Sequence, residues 1–250
     1  MAATLRTDTG RVRRQNEDAA FMDEERGVFA VADGMGGHLA GEVASGMAVD
    51  AVRRMAAQHD APSIAVLRDT VLDAHRAILQ RASSSRACSG MGTTLSLLWR
   101  GGSYVYIAHV GDSRIYRQRG GRLEQITQDH SLVAEMVRGG LITAEQARTH
   151  PRRNIITRAL GTPGDNTPDL LAADTRPGDV WLLCSDGLTG MVEDGDIERV
   201  IAEHPLEQAA DELMRMALGA GGRDNITLIL YRHDGQTPQA PGEETTWKRD

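Results

Sequence analysis

Apolar positions along this chain follow two rhythms. Short runs such as VFAVA (28–32), TTLSLLW (93–99), SYVYIAHV (103–110), VWLLC (180–184) and NITLILY (225–231) are bounded by Gly, Asp, Asn and Arg. Runs of that length, rich in β-branched and large apolar residues, predict buried strands. Further strands are expected near 19–21 and at RIYRQ (114–118) and RLEQI (122–126), with Gly120-Gly121 marking a hairpin. Elsewhere the spacing becomes helical. Val43, Met47, Ala51 and Met55 recur every four residues, beside Ala44, Ala48 and Val52. After Pro62, the residues Ile64, Leu67, Val71, Ala74 and Ile78 form a second stripe at spacings of three and four. RASSSRACSG (81–90) reads as a loop.

Between Asp129 and Pro163 two short helices are expected. One ends at Gly139-Gly140; the other starts with the capping pair Thr143 and Gln146 and stops at Pro151. Helices at 194–203 and 205–218 precede the last strand. This order implies sheets with helices packed outside them, and the tight strand spacing over 94–126 requires antiparallel neighbours. No internal repeat or linker divides the chain, so residues 1–233 are expected to form one domain with 129–163 as an insertion. Residues 234–250, polar and rich in Pro and Gly, are expected to be a disordered tail.

Composition narrows the functional classes. A net charge of -7 argues against an electrostatic nucleic-acid binder, and no apolar run approaches the length of a membrane span. The first residues, MAATLRTDTGRVRR, lack the apolar core of a secretory signal. Cys88 and Cys184 make no disulfide framework, and a reducing cytoplasm is the simplest setting.

The chemistry is concentrated in aspartates beside apolar strands. Asp33 follows VFAVA, Asp112 follows YVYIAHVG, Asp186 follows VWLLCS, and Asp224 lies just before NITLILY. A carboxylate after one strand and one before an antiparallel neighbour share the same edge of a sheet. Clustered carboxylates repel unless protonated or neutralised, and an all-oxygen set suits Mg²⁺ or Mn²⁺ rather than zinc. Asp194-Gly195 and Asp234-Gly235 follow no apolar strand and read as plain turns. The run Arg13-Arg14-Gln15-Asn16-Glu17-Asp18 adds what such a site would use. A guanidinium fork matches phosphate oxygens, and Glu17 and Asp18 can hold metal-bound water.

VRRQNEDA, VADGMGGHLAGE, GMGTTL, HVGDSRIYR, LLCSDGL and GGRDNITLI together resemble the motifs of metal-dependent serine/threonine protein phosphatases of the type 2C class, in their compact bacterial form. The resemblance runs from about Thr7 to Tyr231. It implies an α+β fold with two central antiparallel sheets sandwiched between helical layers. It also implies Asp33 bridging two Mn²⁺ or Mg²⁺ ions, the Gly34 carbonyl on the second, and Asp186 and Asp224 on the first. Asp112 would bind a weaker third ion shared with Asp186. Glu17 and Asp18 would act through metal-bound water, Arg13 would grip the substrate phosphate, and 129–163 would be a mobile flap. Many eukaryotic members carry a histidine two residues after the bridging aspartate, proposed as a general acid, whereas bacterial members commonly carry methionine. Here that position is Met35, leaving His38 as the nearest proton donor in sequence.

The implied reaction is hydrolysis of phosphoserine and phosphothreonine in proteins by a metal-activated water. The implied partners are phosphorylated proteins, including an opposing serine/threonine kinase; a monomer is expected, with no nucleic acid or membrane partner. Two alternatives are a pseudophosphatase that binds phosphoproteins without hydrolysing them and a hydrolase of small phosphoesters. The first would be expected to lack metal aspartates, and none is missing.

Overall fold

The structure, a computed structural model, describes residues 2–36 and 40–235. His38 and most of the expected tail therefore lie outside the described residues. Strands β1 (Ala2–Asp8), β2 (Asp18–Asp23) and β3 (Val28–Met35) lead into helices α1 (Ala40–Gln58) and α2 (Ile64–Ser84). Then come β4 (Gly92–Thr93), β5 (Leu95–Gly101), β6 (Tyr104–Val110), β7 (Arg114–Arg119) and β8 (Arg122–Gln125). Short helices α3 (Leu132–Arg138) and α4 (Ala144–Thr149) follow, then β9 (Asp169–Asp174) and β10 (Val180–Cys184). The chain closes with α5 (Asp186–Thr189), α6 (Asp194–Glu203), α7 (Leu206–Gly219) and β11 (Ile226–Arg232).

The strands form two antiparallel sheets, ordered β1-β11-β10-β7-β8 and β2-β3-β5-β6-β9, with β4 pairing β3. The central strands are apolar on consecutive residues because both of their faces are covered. In β3, Phe29 and Val31 join Leu98, Ile107, Trp181 and Ile229 between the sheets, while Val28, Ala30 and Ala32 pack beneath α1 and α2. In β10, Trp181 and Leu183 face the other sheet, while Leu182 and Cys184 pack with Val200 of α6 and Leu213 of α7. A stacked pair, Phe29 and Tyr231 with centroids 4.7 Å apart, ties the two sheets together. The result is helix, sheet, sheet, helix, as expected.

Some elements differ from the sequence reading. Strands β1 and β9 carried no clear signal because each is an edge strand, half-buried and partly polar, in AATLRTD and DLLAAD. The TTLSLLW run is interrupted at Thr94, whose backbone N–H and hydroxyl bond to Asp33 instead of continuing a ladder. Asp194-Gly195 is no free turn: it opens α6, with Asp194 and Asp196 in the first turn, where carboxylates favour the helix dipole. The Thr143–Gln146 capping box is present as expected.

His109 at the end of β6 is fully buried. Its ring nitrogens lie 3.0 Å from the Ser96 hydroxyl and 3.2 Å from the Gln128 carbonyl. Burial, reinforced by the neighbouring His130, pushes its pKa down to about 4 from 6.5. The folded pKa lies below the unfolded one, so this stabilisation is complete above the unfolded value and is lost as pH falls towards the folded one. The loss reaches about 3 kcal/mol at most. His109→Gln cannot take up that proton, so between pH 7.5 and 4.5 its stability relative to wild type should rise by up to that amount. Parallel pH profiles of denaturant unfolding for the two proteins would rule out this linkage.

Candidate metal and phosphate site

One end of the two-sheet core gathers the acidic residues. Register places Asp18, the first residue of β2, directly opposite Asp33 near the end of β3. Like charges in that position oppose strand pairing. Asp186 follows β10 as the first residue of α5, and Asp224 lies two residues before β11 on the neighbouring strand. Asp112 follows β6 and is only 7% exposed. Burial, followed by the neighbouring carboxylates, raises Asp33 and Asp112 well above the ordinary carboxylate range. Asp18 and Asp186 move in the same direction, also chiefly by burial. Glu17 is raised by burial as well.

This donor set suits hard cations. Among the described residues, the buried oxygens Glu17 Oε1, Asp18 Oδ1 and Asp112 Oδ1 have no hydrogen-bond partner, and an orphaned buried carboxylate oxygen is costly unless a cation takes it. Among the described residues, no three His, Cys, Asp or Glu side chains are already gathered so as to hold an ion. The carboxylates lean on other donors instead: Arg13 Nη2 donates to Asp224 Oδ2 at 2.7 Å, and the Ser185 hydroxyl donates to Asp18 Oδ2 at 2.8 Å.

Backbone contacts fix that convergence. A Cβ on Gly34 would collide with the carbonyl oxygens of Gly41 and Glu17, so α1 and the Glu17 segment close directly on this glycine. Gly34 N–H donates to the Glu17 carbonyl at 3.1 Å, and Ser45 Oγ of α1 donates to the same oxygen at 2.6 Å. A Cβ on Gly187 would strike the Asn225 carbonyl, which lets Asp186 and Asp224 sit side by side.

Sequence reasoning brought Arg13, Glu17, Asp18, Asp33, Gly34, Asp112, Asp186 and Asp224 to attention, and the fold places all of them at this sheet end. It gave no role to the residues that hold them. Asn225 is the principal omission. Its side chain accepts from Glu17 N–H at 2.8 Å and donates to the carbonyls of Thr9 and Gln15, each at 2.8 Å. The segment carrying Arg13 and Glu17 is therefore clamped beside Asp224. Thr94 acts similarly: its hydroxyl accepts from Asp33 N–H at 2.9 Å and lies 2.8 Å from Ser113 Oγ, next to Asp112. Arg114 pairs with Asp129 rather than Asp112, through contacts of 2.8 and 3.0 Å. An Asn after a metal-type Asp at a strand start was the available signal for Asn225; Thr94 and Ser113 carried none.

An acidic, oxygen-only cluster at one end of two antiparallel sheets, with an arginine at its rim, is chemistry suited to hard cations and a phosphate group. Comparison with known proteins makes the assignment specific. The family model "Protein phosphatase 2C" matches residues 11–230, and the chain belongs to that family. It is 43% identical over 243 residues to the serine/threonine phosphatase stp of Listeria monocytogenes, covering 94% of this chain and 96% of that protein. The crystal structure of Stp1 from Staphylococcus aureus superposes with a TM-score of 0.88 at 39% identity, covering 93% of this chain and 95% of that one. The catalytic domain of the serine/threonine protein phosphatase PstP in complex with two manganese ions superposes with a TM-score of 0.84 at 36% identity, covering 92% of this chain and 96% of that one.

Asn225→Ala removes one acceptor and two donors from a buried junction. It should cost about 2–4 kcal/mol of stability, and activity should fall further than stability does. Asn225→Asp keeps the acceptor but not the donors, so it should not restore wild-type behaviour. Wild-type denaturation midpoints in both variants would show that the clamp is dispensable.

Proposed function

We infer that this chain hydrolyses phosphoserine and phosphothreonine in proteins with Mn²⁺ or Mg²⁺ as cofactor. The observation that carries the reading is the meeting of Asp18, Asp33, Asp112, Asp186 and Asp224 at one sheet end with Arg13 at its rim. The phosphatase names of its relatives and the manganese-bound relative support it. Asp33, Asp186 and Asp224, with the Gly34 carbonyl, are the residues we assign to two core ions, and Asp112 with Asp186 to a weaker third. Bound cations neutralise phosphate oxygens and lower the pKa of water, which is the help phosphoryl transfer most needs.

The chain's own residues do the rest. Glu17 and Asp18 face the same centre and are raised by burial, which suits them to accepting and orienting protons of water. Arg13 is half-exposed and rests on Asp224, so a substrate phosphate can take over its fork without breaking a buried pair. The leaving alkoxide needs a proton that Met35 cannot give; His38 remains our candidate for that role. Residues 129–163 leave the sheets as α3 and α4 beside the Asp112 turn, and we assign them as a flap over the substrate. No described helix is long and apolar enough to cross a membrane. Both cysteines are buried and unpaired, and we assign a monomer acting in the cytoplasm opposite a serine/threonine kinase.

Asp186→Ala and Asp224→Ala should abolish phosphopeptide hydrolysis. Millimolar Mn²⁺ should raise the melting temperature of wild type and shift that of either variant much less. Equal Mn²⁺ stabilisation of all three proteins, or full turnover in excess EDTA, would refute the assigned ligands.

Arg13→Ala should raise KM about tenfold or more, the loss expected of one charge-assisted contact. A large fall in kcat at unchanged KM would instead mean that Arg13 acts only on the transition state.

A further inference from the structure

Beside the metal end, α3 and α4 overhang a cleft of about 500 Å³. Its floor includes Asp112 and Asp186, so it opens directly onto the site where the phosphate is processed. Its walls are apolar, with Val133 and Val137 from α3 and Ala144 and Ala147 from α4. Arg138, Arg148 and Arg153 also line it, beside the paired Arg114 and Asp129.

The three arginines differ in how they are engaged. Arg138 donates only to a backbone carbonyl, that of Asp129, at 3.3 Å. Arg153 is exposed, and its side chain makes no hydrogen bond or ion pair among the described residues. Arg148 pairs with Glu193 Oε1, at the start of α6, across 2.7 Å. Glu193 is 66% exposed on that pair, so the contact is solvent-screened and exchangeable. A carboxylate of this chain thus already occupies one of the positions a ligand carboxylate would take.

We propose that this cleft receives an acidic side chain of the substrate polypeptide, flanking the phosphorylated residue, through Arg148 and Arg153. The proposal rests on the phosphatase reading above. With the phosphoryl group held by Arg13 and the core ions beside Asp186, the adjoining polypeptide has to leave the centre, and the cleft, which Asp186 also lines, borders it. Its apolar walls accept the aliphatic part of a glutamate while the arginines take the carboxylate. Arg148 exchanges Glu193 for the substrate, so no buried charge is left unpaired. Asp129 adds little repulsion, since Arg114 already holds it.

The test uses the full chain, Mn²⁺ and phosphothreonine peptides that differ only in carrying alanine, glutamate or lysine on the N-terminal or C-terminal flank. For glutamate on one flank, kcat/KM should exceed that for alanine about 3- to 10-fold at low salt, lysine should fall below alanine, and 0.5 M salt should compress the range, as expected for two screened pairs. In the double variant Arg148→Ala/Arg153→Ala the glutamate-to-alanine ratio should drop to near one, and Arg153→Lys should retain more of it than Arg153→Ala. Glu193→Gln, which removes the competing carboxylate, should raise the ratio about twofold. Turnover of every peptide at one rate, or a ratio unchanged in the double variant, would overturn the proposal while leaving the phosphatase reading intact. Absence of turnover on any peptide by wild type would overturn both.

Discussion

Mutual repulsion among buried carboxylates is the constraint on which this architecture turns. Asp18 opposes Asp33 across a strand pair, and Asp112, Asp186 and Asp224 close in from neighbouring strands. Left to themselves, these groups would favour separating the ends of both sheets. The core beneath prevents that. Phe29, Trp181, Leu183 and Tyr231 between the sheets are wholly buried, and two further apolar layers under the helices back them. Apolar burial near 25 cal/mol per Å² supplies the stabilisation that holds the charges together until cations neutralise them.

Between core and charges lies a layer of hydrogen bonds that fixes backbone position without using carboxylate oxygens. Thr93 and Thr94 hold the Asp33 backbone, and Asn225 holds the Glu17 segment. The oxygens needed for cations therefore remain available, as the orphaned atoms of Glu17, Asp18 and Asp112 show. Glycine matters at only a few places here. At Gly34 and Gly187 any side chain would push apart backbones whose contact brings the aspartates together.

The readable parts of the fold were those in which one physical cause dominates. Strands β3, β6, β10 and β11 are covered on both faces, so their unbroken apolar runs were visible; α1 and α2 showed the stripe of one buried face, and α4 the local chemistry of its capping box. Edge strands β1 and β9 were hidden because half of each faces polar surroundings and only pairing with β11 and β6 makes them strands. The site showed a similar division. Carboxylates at strand tips declare themselves through contrast with their neighbours. Asn225 and Thr94 are ordinary polar residues whose importance arises only when partners from about 60 to more than 200 residues away arrive, as the Asp33–Thr94 and Glu17–Asn225 bonds do.

Strand β1 pairs along its whole length with β11, and Asn225 clamps the Glu17 segment to the start of that last strand. Segments more than 200 residues apart thus complete the same sheet and the same cluster of acids. Pairings of such high sequence separation form late, because the loop they close is nearly the whole chain. During synthesis on the ribosome, the helices and the β5–β8 meander can form while Arg13, Glu17 and Asp18 still lack the strand that positions them. The acidic cluster should therefore be complete only when β11 has emerged.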